Sequence, residues 1–389
     1  MLFQRRSENN ETRMKENWTY KKLGEVGTVI GGSTPKTDVA EFWNGDFAWI
    51  TPAELDGSKY IHSTVRTITK EAIEKTNLTL LPVGTVLLSS RAPIGKVCIT
   101  TIPMYCNQGF KNIVCSDKLN NEFLYWWLKG KNDYLNLLGV GATFKEISKR
   151  IVEQIIIPVP PIETQSRIVS ELDLLQSIID KQQAQLKELD KLAQSIFYDM
   201  FGDPVENEKG WEVKKVSEIT KYYNGIAHEQ DVDENGNFIL INAKFISTQG
   251  ETVKRTSMQR FPLFVDDIVM VLSDLPNGKS LGKCFLIDKN NLYSLNQRIC
   301  CFRGFDGEAM FLKFVINRNP YFLSFDDGKG QTNLRKNDVE NLPVIIPPLS
   351  LQKSFAAKIE SIEKQKDAIS QSIAETQKLF DYTMDKYFG

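Results

Sequence analysis

The residues of this 389-residue sequence best suited to chemistry lie in two sets of polar, glycine-containing loops. The first half has Gly31, Gly32, Ser33, Thr34 and Lys36 in one loop, and Ser90, Arg91 and, beyond Gly95, Lys96 in another. Asn107, Gln108 and Lys111 form a third, and Thr143 stands in a fourth. The second half has Asn224 before Gly225, Lys279 and Lys283 on either side of Gly282, the run Asn296-Gln297-Arg298, and Lys329 and Gln331 between Gly328 and Thr332. Side chains of these types reach phosphates and the donor and acceptor atoms of base edges, and glycine lets a backbone come close. The same composition also makes ordinary turns. Recurrence favours contact with nucleic acid. Gly32 matches Gly225 at an offset of 193, Gly95-Lys96 matches Gly282-Lys283 at 187, and Asn107-Gln108 matches Asn296-Gln297 at 189.

Little in the chain could break or make bonds. Its six cysteines include no C-x-x-C pair, and its two histidines, His62 and His228, stand far apart, so neither a zinc site nor a Cys/His nucleophile is expected. Asn319-Pro320-Tyr321-Phe322 approaches the Asn-Pro-Pro-Phe/Tyr loop of amino-methyltransferases but lacks the second proline. Phe302-Arg303-Gly304 lies too close to it to supply a glycine-rich cofactor strand, and Gly139-Val140-Gly141 has no strand-to-helix setting. The reading is a helix end followed by a turn. Asp266-Asp267 and Asp326-Asp327 read as turn residues at strand starts, and there is no P-loop. No catalytic residue and no metal ligand is expected.

The elements that must position the loops are themselves repeated. Residues 151–202 recur at 338–389 without a gap, at a constant offset of 187. In each copy a Pro-Pro pair (Pro160-Pro161, Pro347-Pro348) ends a short apolar run and opens a long stretch free of proline and glycine until its last residue. Ile168, Leu172, Leu175, Ile179, Gln182, Leu186, Leu189, Ala193, Ile196 and Met200 follow a 4,3 spacing, the a/d seam of a coiled coil. Phe355, Ile359, Ile362, Lys366, Ile369, Ile373, Thr376, Phe380, Thr383 and Tyr387 repeat it. Each helix should run roughly 55 Å at about 1.5 Å per residue. A lobe of this size is only roughly 35–40 Å across. It begins where one helix stops and ends where the next starts, so an antiparallel pair is expected, with the lobes at opposite ends and a pseudo-twofold axis between them. Leu174, Ile178, Leu192, Phe197 and Phe201 are apolar off the seam. They fit either a bundle core within this chain or the docking of another subunit.

The lobes read as copies as well: Trp18…Lys21-Lys22…Glu25 aligns with Trp211…Lys214-Lys215…Glu218. Strands are expected at 28–30, 47–50, 85–88, 97–100, 112–115, 238–241, 268–272, 284–287 and 298–302, with helices at 121–129 and 308–318. The fold class is α+β: two strand-rich lobes in tandem, separated by two long antiparallel coiled-coil helices. The segments are a disordered leader (1–17), a first lobe (18–150), a first spacer helix (151–202), a linker (203–210), a second lobe (211–337) and a second spacer helix (338–389). Net charge is −1. Counting Lys+Arg minus Asp+Glu, the lobes carry 16 − 12 = +4 and 17 − 15 = +2, and the helical segments 4 − 8 = −4 and 6 − 8 = −2. Mildly basic lobes on an acidic spacer fit nucleic-acid contact by the lobes. Without an apolar run of membrane length or a signal-peptide core, the chain reads as cytosolic and reduced.

From Asn17 to Gly389 the sequence resembles the specificity (S) subunits of type I restriction-modification systems. The resemblance rests on the tandem order of lobe, long helix, lobe, long helix. Local marks are Leu23-Gly24-Glu25-Val26, Gly31-Gly32-Ser33-Thr34-Pro35, Asn107-Gln108-Gly109 and the helix starts Pro160-Pro161…Gln165 and Pro347-Pro348…Gln352. Thr164 and Leu351 stand where the family usually has Glu, and the second lobe lacks the Gly-Gly-Ser-Thr-Pro loop. The resemblance implies that each lobe is a target-recognition domain reading one half of a split, asymmetric site in double-stranded DNA, with the helices as the ruler between halves. It implies two docked modification subunits that carry the S-adenosylmethionine-dependent adenine-N6 methyltransferase site. Restriction subunits using ATP and Mg would join that core, and no cofactor is implied on this chain. The rival reading is a coiled-coil scaffold whose lobes bind protein; a self-sufficient methyltransferase is a third.

Overall fold

The computed structural model describes residues 18–91, 93–141, 145–228, 230–275 and 278–389. The leader expected at 1–17 and the candidate Thr143 lie outside them. The chain divides into two compact units, Met1–Gln182 with Ser372–Gly389, and Gln183–Gln371. These units cut across the long helices rather than between the serial segments, because each lobe packs on part of both.

The segments read as spacer helix are not helical throughout. A short helix (Lys149–Gln154) and a strand (Ile156–Val159) precede the first long helix, Ile162–Phe201. Lys336–Glu340 and Pro343–Ile346 precede the second, Leu349–Phe388, in the same way. Each strand pairs antiparallel with the opening strand of its own lobe, Thr19 opposite Val159 and Glu212 opposite Ile346. Leu23 N donates to Ile155 O (2.8 Å) and Val216 N to Leu342 O (2.9 Å), so each ribbon closes identically. A two-stranded ribbon has free edges, which is why Pro158 and Pro343 sit in it without costing a ladder bond.

The Pro-Pro-x-x-x-Gln motif acquires a structural role. Gln165, fully buried, accepts from Asn120 N (2.8 Å) and donates to the carbonyls of Lys118 (2.9 Å) and Pro160 (2.8 Å). Gln352 accepts from Glu308 N (3.1 Å) and donates to Pro347 O (2.8 Å). Each glutamine thus ties the start of a long helix to the N-terminus of the lobe's own main helix.

In the first lobe a five-stranded sheet runs in the order Gly27–Gly31, Lys111–Cys115, Val86–Leu88, Val97–Thr100, Tyr60–Ile61. A three-stranded sheet has Trp43–Ile50 between Arg66–Ile68 and Tyr105–Cys106. The second lobe has a four-stranded sheet, Lys221–Asn224, Ile299–Arg303, Ile268–Val271, Cys284–Leu286, and a three-stranded one centred on Phe238–Ile241. Every strand expected from the sequence is present to within a few residues. The unforeseen ones are short pieces, such as Tyr60–Ile61, whose pairing depends on a distant partner. The helix Asn121–Gly130 buries Phe123 through Leu128 and is capped by Asn120, which accepts from Glu122 N and Phe123 N. Its counterpart is Ala309–Ile316.

Every seam position is buried or half-buried. In the first unit Arg167 and Glu171 meet the Tyr387 hydroxyl (3.2 and 2.7 Å), and Gln182 bonds Ser372 (2.7 Å). Numbers rise along one helix as they fall along the other, so the two segments are antiparallel. In the second unit Asp190 meets Lys366 (2.8 Å) and Phe197 meets Phe355 (ring centroids 5.7 Å) in the same sense. Lys366, the charge in the seam, loses hydration by burial, but its bonds to Asp190 and Glu363 outweigh that and raise its pKa.

Burial pushes the thiols of Cys98, Cys106 and Cys115 up to about 12 and raises those of Cys284, Cys300 and Cys301 as well. A protonated thiol is a poor nucleophile. An alkylating reagent at neutral pH should leave the five buried cysteines, Cys98, Cys106, Cys284, Cys300 and Cys301, unmodified in the native chain and label them after unfolding, as mass spectrometry would read, with half-buried Cys115 the first to react; fast native labelling of any of the five would contradict its burial.

Candidate nucleic-acid interface

In the first lobe the strand Gly27–Gly31 delivers Gly32 onto the Asn107-Gln108 loop. A Cβ on Gly32 would stand 2.1 Å from Asn107 O, so only glycine permits this crossing. Thr34 bonds Gln108, Ser33 N donates to Cys106 O (3.0 Å), and Trp49 Nε1 donates to Ser33 O (3.2 Å). The second lobe repeats the crossing: a Cβ on Gly225 would lie 1.9 Å from Asn296 O. Two backbone segments pressed together at a loop rim form a rigid platform for the side chains above it.

A second junction widens each rim. In the first lobe Arg91 bridges to Glu146, which also bridges to Val140. In the second, Ser273–Asp274 pairs with Thr332–Asn333 and brings the 273–283 loop beside the 328–333 loop. Asp274 anchors its loop by accepting from Ser280 N and Leu281 N (2.5 and 3.1 Å). The result is a cleft of about 410 Å³ lined by Asn242, Ser273, Asp274, Leu275, Asn296, Gln297, Arg298 and Gln331, among others. An adjoining cleft of about 600 Å³ has Lys329, Gly330, Gln331, Asn333 and Arg335 in its wall. Gln331 faces both. Asn242, Asn333 and Arg335 were not singled out from the sequence; the strand pairing that places Asn333 joins it to Ser273, 60 residues away, and leaves no local signal.

Several candidates have other work. Ser90 is buried, with its hydroxyl on Gly109 O (3.1 Å), so it holds the loop and meets no ligand. Lys96 donates to the carbonyls of Pro52 (3.3 Å) and Leu55 (2.8 Å), and Lys283 to Ser247 O (3.3 Å). The Lys111 side chain is only 12% exposed and ion-pairs with Glu146 (3.0 Å), which spends its charge inside the lobe. The exposed candidates are Gly31, Lys36 and Gln108 in the first lobe, and Asn224, Lys279, Gln297, Arg298, Lys329 and Gln331 in the second. Gly32, Ser33, Thr34, Arg91, Asn107 and Asn296 are half-buried around them.

Of the off-seam apolar residues, Phe197 and Phe201 are corrected from docking surface to core. They are 1% and 0% exposed, packed on Phe311 and Phe355, because the face of the helix turned from the seam is covered by its own lobe. Leu174, Ile178 and Leu192 are exposed at 62%, 36% and 48%.

The motifs set aside as catalytic decoys have structural partners. Asn319 accepts from Tyr321 N (2.9 Å) and donates to Val315 O (2.9 Å), which engages both ends of its amide with the neighbouring helix backbone. Asp267 is 2% exposed and held bidentately by Arg303 (2.8 and 2.6 Å). His228 meets the Ser294 hydroxyl (2.8 Å), but both are buried and Ser294 also accepts from Phe261 N (3.1 Å). Among the described residues no group of three His, Cys, Asp or Glu side chains could hold a metal ion. No helix among them is long and apolar enough to cross a membrane.

The model of the type I restriction modification DNA specificity domain matches the chain twice, at residues 15–191 and 208–377. The MjaIX type I restriction enzyme specificity subunit of Methanocaldococcus jannaschii is 30% identical over 387 residues, covering 90% of this chain and 88% of that one. A solved type I restriction-modification S subunit from M. genitalium aligns over 96% of both chains at 15% identity with a TM-score of 0.56. A chain from a structural study of complex assembly and conformational transition in a type I system aligns over 96% of this chain and 98% of that one, at 18% identity and a TM-score of 0.59.

Proposed function

The chain belongs to the type I restriction modification DNA specificity family, and from that premise we propose that it is the non-catalytic subunit that chooses the DNA sequence on which such a complex acts. Each lobe reads one half of a bipartite, asymmetric target in double-stranded DNA. The long helices form an antiparallel coiled coil that sets the distance between the half-sites. Two modification subunits dock on the chain, with the exposed Leu174, Ile178 and Leu192 as docking contacts, and restriction subunits join them. S-adenosylmethionine, ATP and Mg act on those partners, and the complex works in the cytoplasm.

One observation carries this reading. Both lobes build the same rim, with Gly32 crossing Asn107-Gln108 and Gly225 crossing Asn296-Gln297, yet the residue that follows is Gly109 in one and Arg298 in the other. One framework with different side chains at equivalent places suits two readers of unlike half-sites. The modest lobe charges suggest that partner subunits supply much of the phosphate attraction.

The test is to supply the chain with modification subunits and sequence the modified adenines. A bipartite motif with a fixed gap is expected, and Gln108→Ala should relax one half of it alone. Absence of any motif, together with no salt-dependent DNA affinity, would favour the protein-binding scaffold. Equal relaxation of both halves would remove the assignment of one half to each lobe.

A further inference from the structure

We propose that Arg298 reads a guanine, through its O6 and N7, in the half-site bound by the second lobe; the proposal rests on the DNA-reading function above and names one base that it recognises. Arg298 has φ +67°, in the left-handed region that favours glycine, whereas its counterpart in the first lobe, Gly109, has no positive φ. A non-glycine residue held there is a reason to look for function at the site. The backbone is clamped on both sides: Gln297 N donates to Ile226 O (3.1 Å), and Leu272 N donates to Arg298 O (3.0 Å). The arginine is therefore presented in a set direction.

Its guanidinium is uncommitted. Arg303 and Arg260 in the same lobe are locked bidentately to Asp267 and Asp231. Arg298 is exposed, lines the 410 Å³ cleft and makes no side-chain hydrogen bond or ion pair among the described residues. Beside it Asn296 Oδ1 is buried without a hydrogen-bond partner among those residues, whereas the matching Asn107 Oδ1 in the first lobe accepts from Gly109 N (2.9 Å). The second-lobe rim is thus incomplete where the first-lobe rim is closed. A phosphate contact needs only a flexible cation at the edge, which Lys279 and Lys329 provide. A planar guanidinium fork without a partner among the described residues, on a held backbone beside a cleft lined with amides, matches the two acceptors of guanine in the major groove.

The experiment uses the full chain with its modification subunits, reading the methylated motif and the competition between cognate and single-substituted oligonucleotides. Arg298→Gly relieves the backbone, so the chain should be at least as heat-stable as the parent. A guanine position in one half-site should become degenerate, with discrimination falling roughly 5- to 150-fold. That half must be the one Gln108→Ala leaves intact. Arg298→Lys should keep most of the affinity but lose the discrimination as the glycine variant does. An unchanged motif with uniformly weaker binding would make Arg298 a phosphate contact and overturn the proposal, as would relaxation in the half that Gln108 controls. If the parent complex itself yields no bipartite motif, the functional reading fails first, and this proposal with it.

Discussion

Phe197→Ala is expected to cost the isolated chain about 3–5 kcal/mol of stability, the usual range for emptying a buried phenylalanine site. Phe197 lies within ring-contact distance of Phe201 (5.3 Å), Phe311 (6.1 Å), Phe314 (5.8 Å) and Phe355 (5.7 Å). The cavity would open where the two long helices and the lobe helix Ala309–Ile316 meet, and the aromatic partners cannot all move in to fill it. The thermal midpoint of the chain without partners is the measurement. A docking residue would behave oppositely, with stability unchanged and only assembly weakened. Ile178→Asp, at an exposed position, serves as that contrast: its stability should shift by no more than about 0.5 kcal/mol, while assembly with modification subunits suffers. If Phe197→Ala leaves the midpoint in place, the core assignment is wrong.

Gln165→Leu should cost roughly 3 kcal/mol or more. The substitution nearly conserves volume but leaves Asn120 N and the carbonyls of Lys118 and Pro160 without their partner. A buried polar group stripped of its bond costs about 1–3 kcal/mol. Gln352→Leu loses two bonds rather than three and should cost less. Denaturant midpoints of the two variants would show that order. A loss below about 0.5 kcal/mol in both would mean that the glutamines do not hold the lobes to the helices.

The repeat itself anticipated much of the architecture. A 4,3 spacing of apolar residues depends only on how side chains project from a helix, so the seam could be read along the chain without knowing its partner. The expected strands appeared for the same local reason. The long helices start just past the Pro-Pro pairs that mark them in the sequence, but the segment 151–202 is not helix throughout: Ile156–Val159 becomes a strand only through its pairing with Thr19–Lys22.

What the sequence determined alone was periodic or repeated: α+β lobes in tandem, two long helices, and matched Gly and Asn-Gln marks in each lobe. Which side of a helix its own lobe covers was decided by tertiary packing, which buried Phe197 and Phe201 and left Leu174 and Leu192 in solvent. Packing likewise decided which cations remain free. Lys111 and Arg298 look alike in sequence, but the carboxylate that neutralises Lys111 is Glu146, 35 residues away, and Arg298 meets no such partner among the described residues. Burial and pairing join residues distant along the chain, so a pattern read along it can nominate such residues but not rank them.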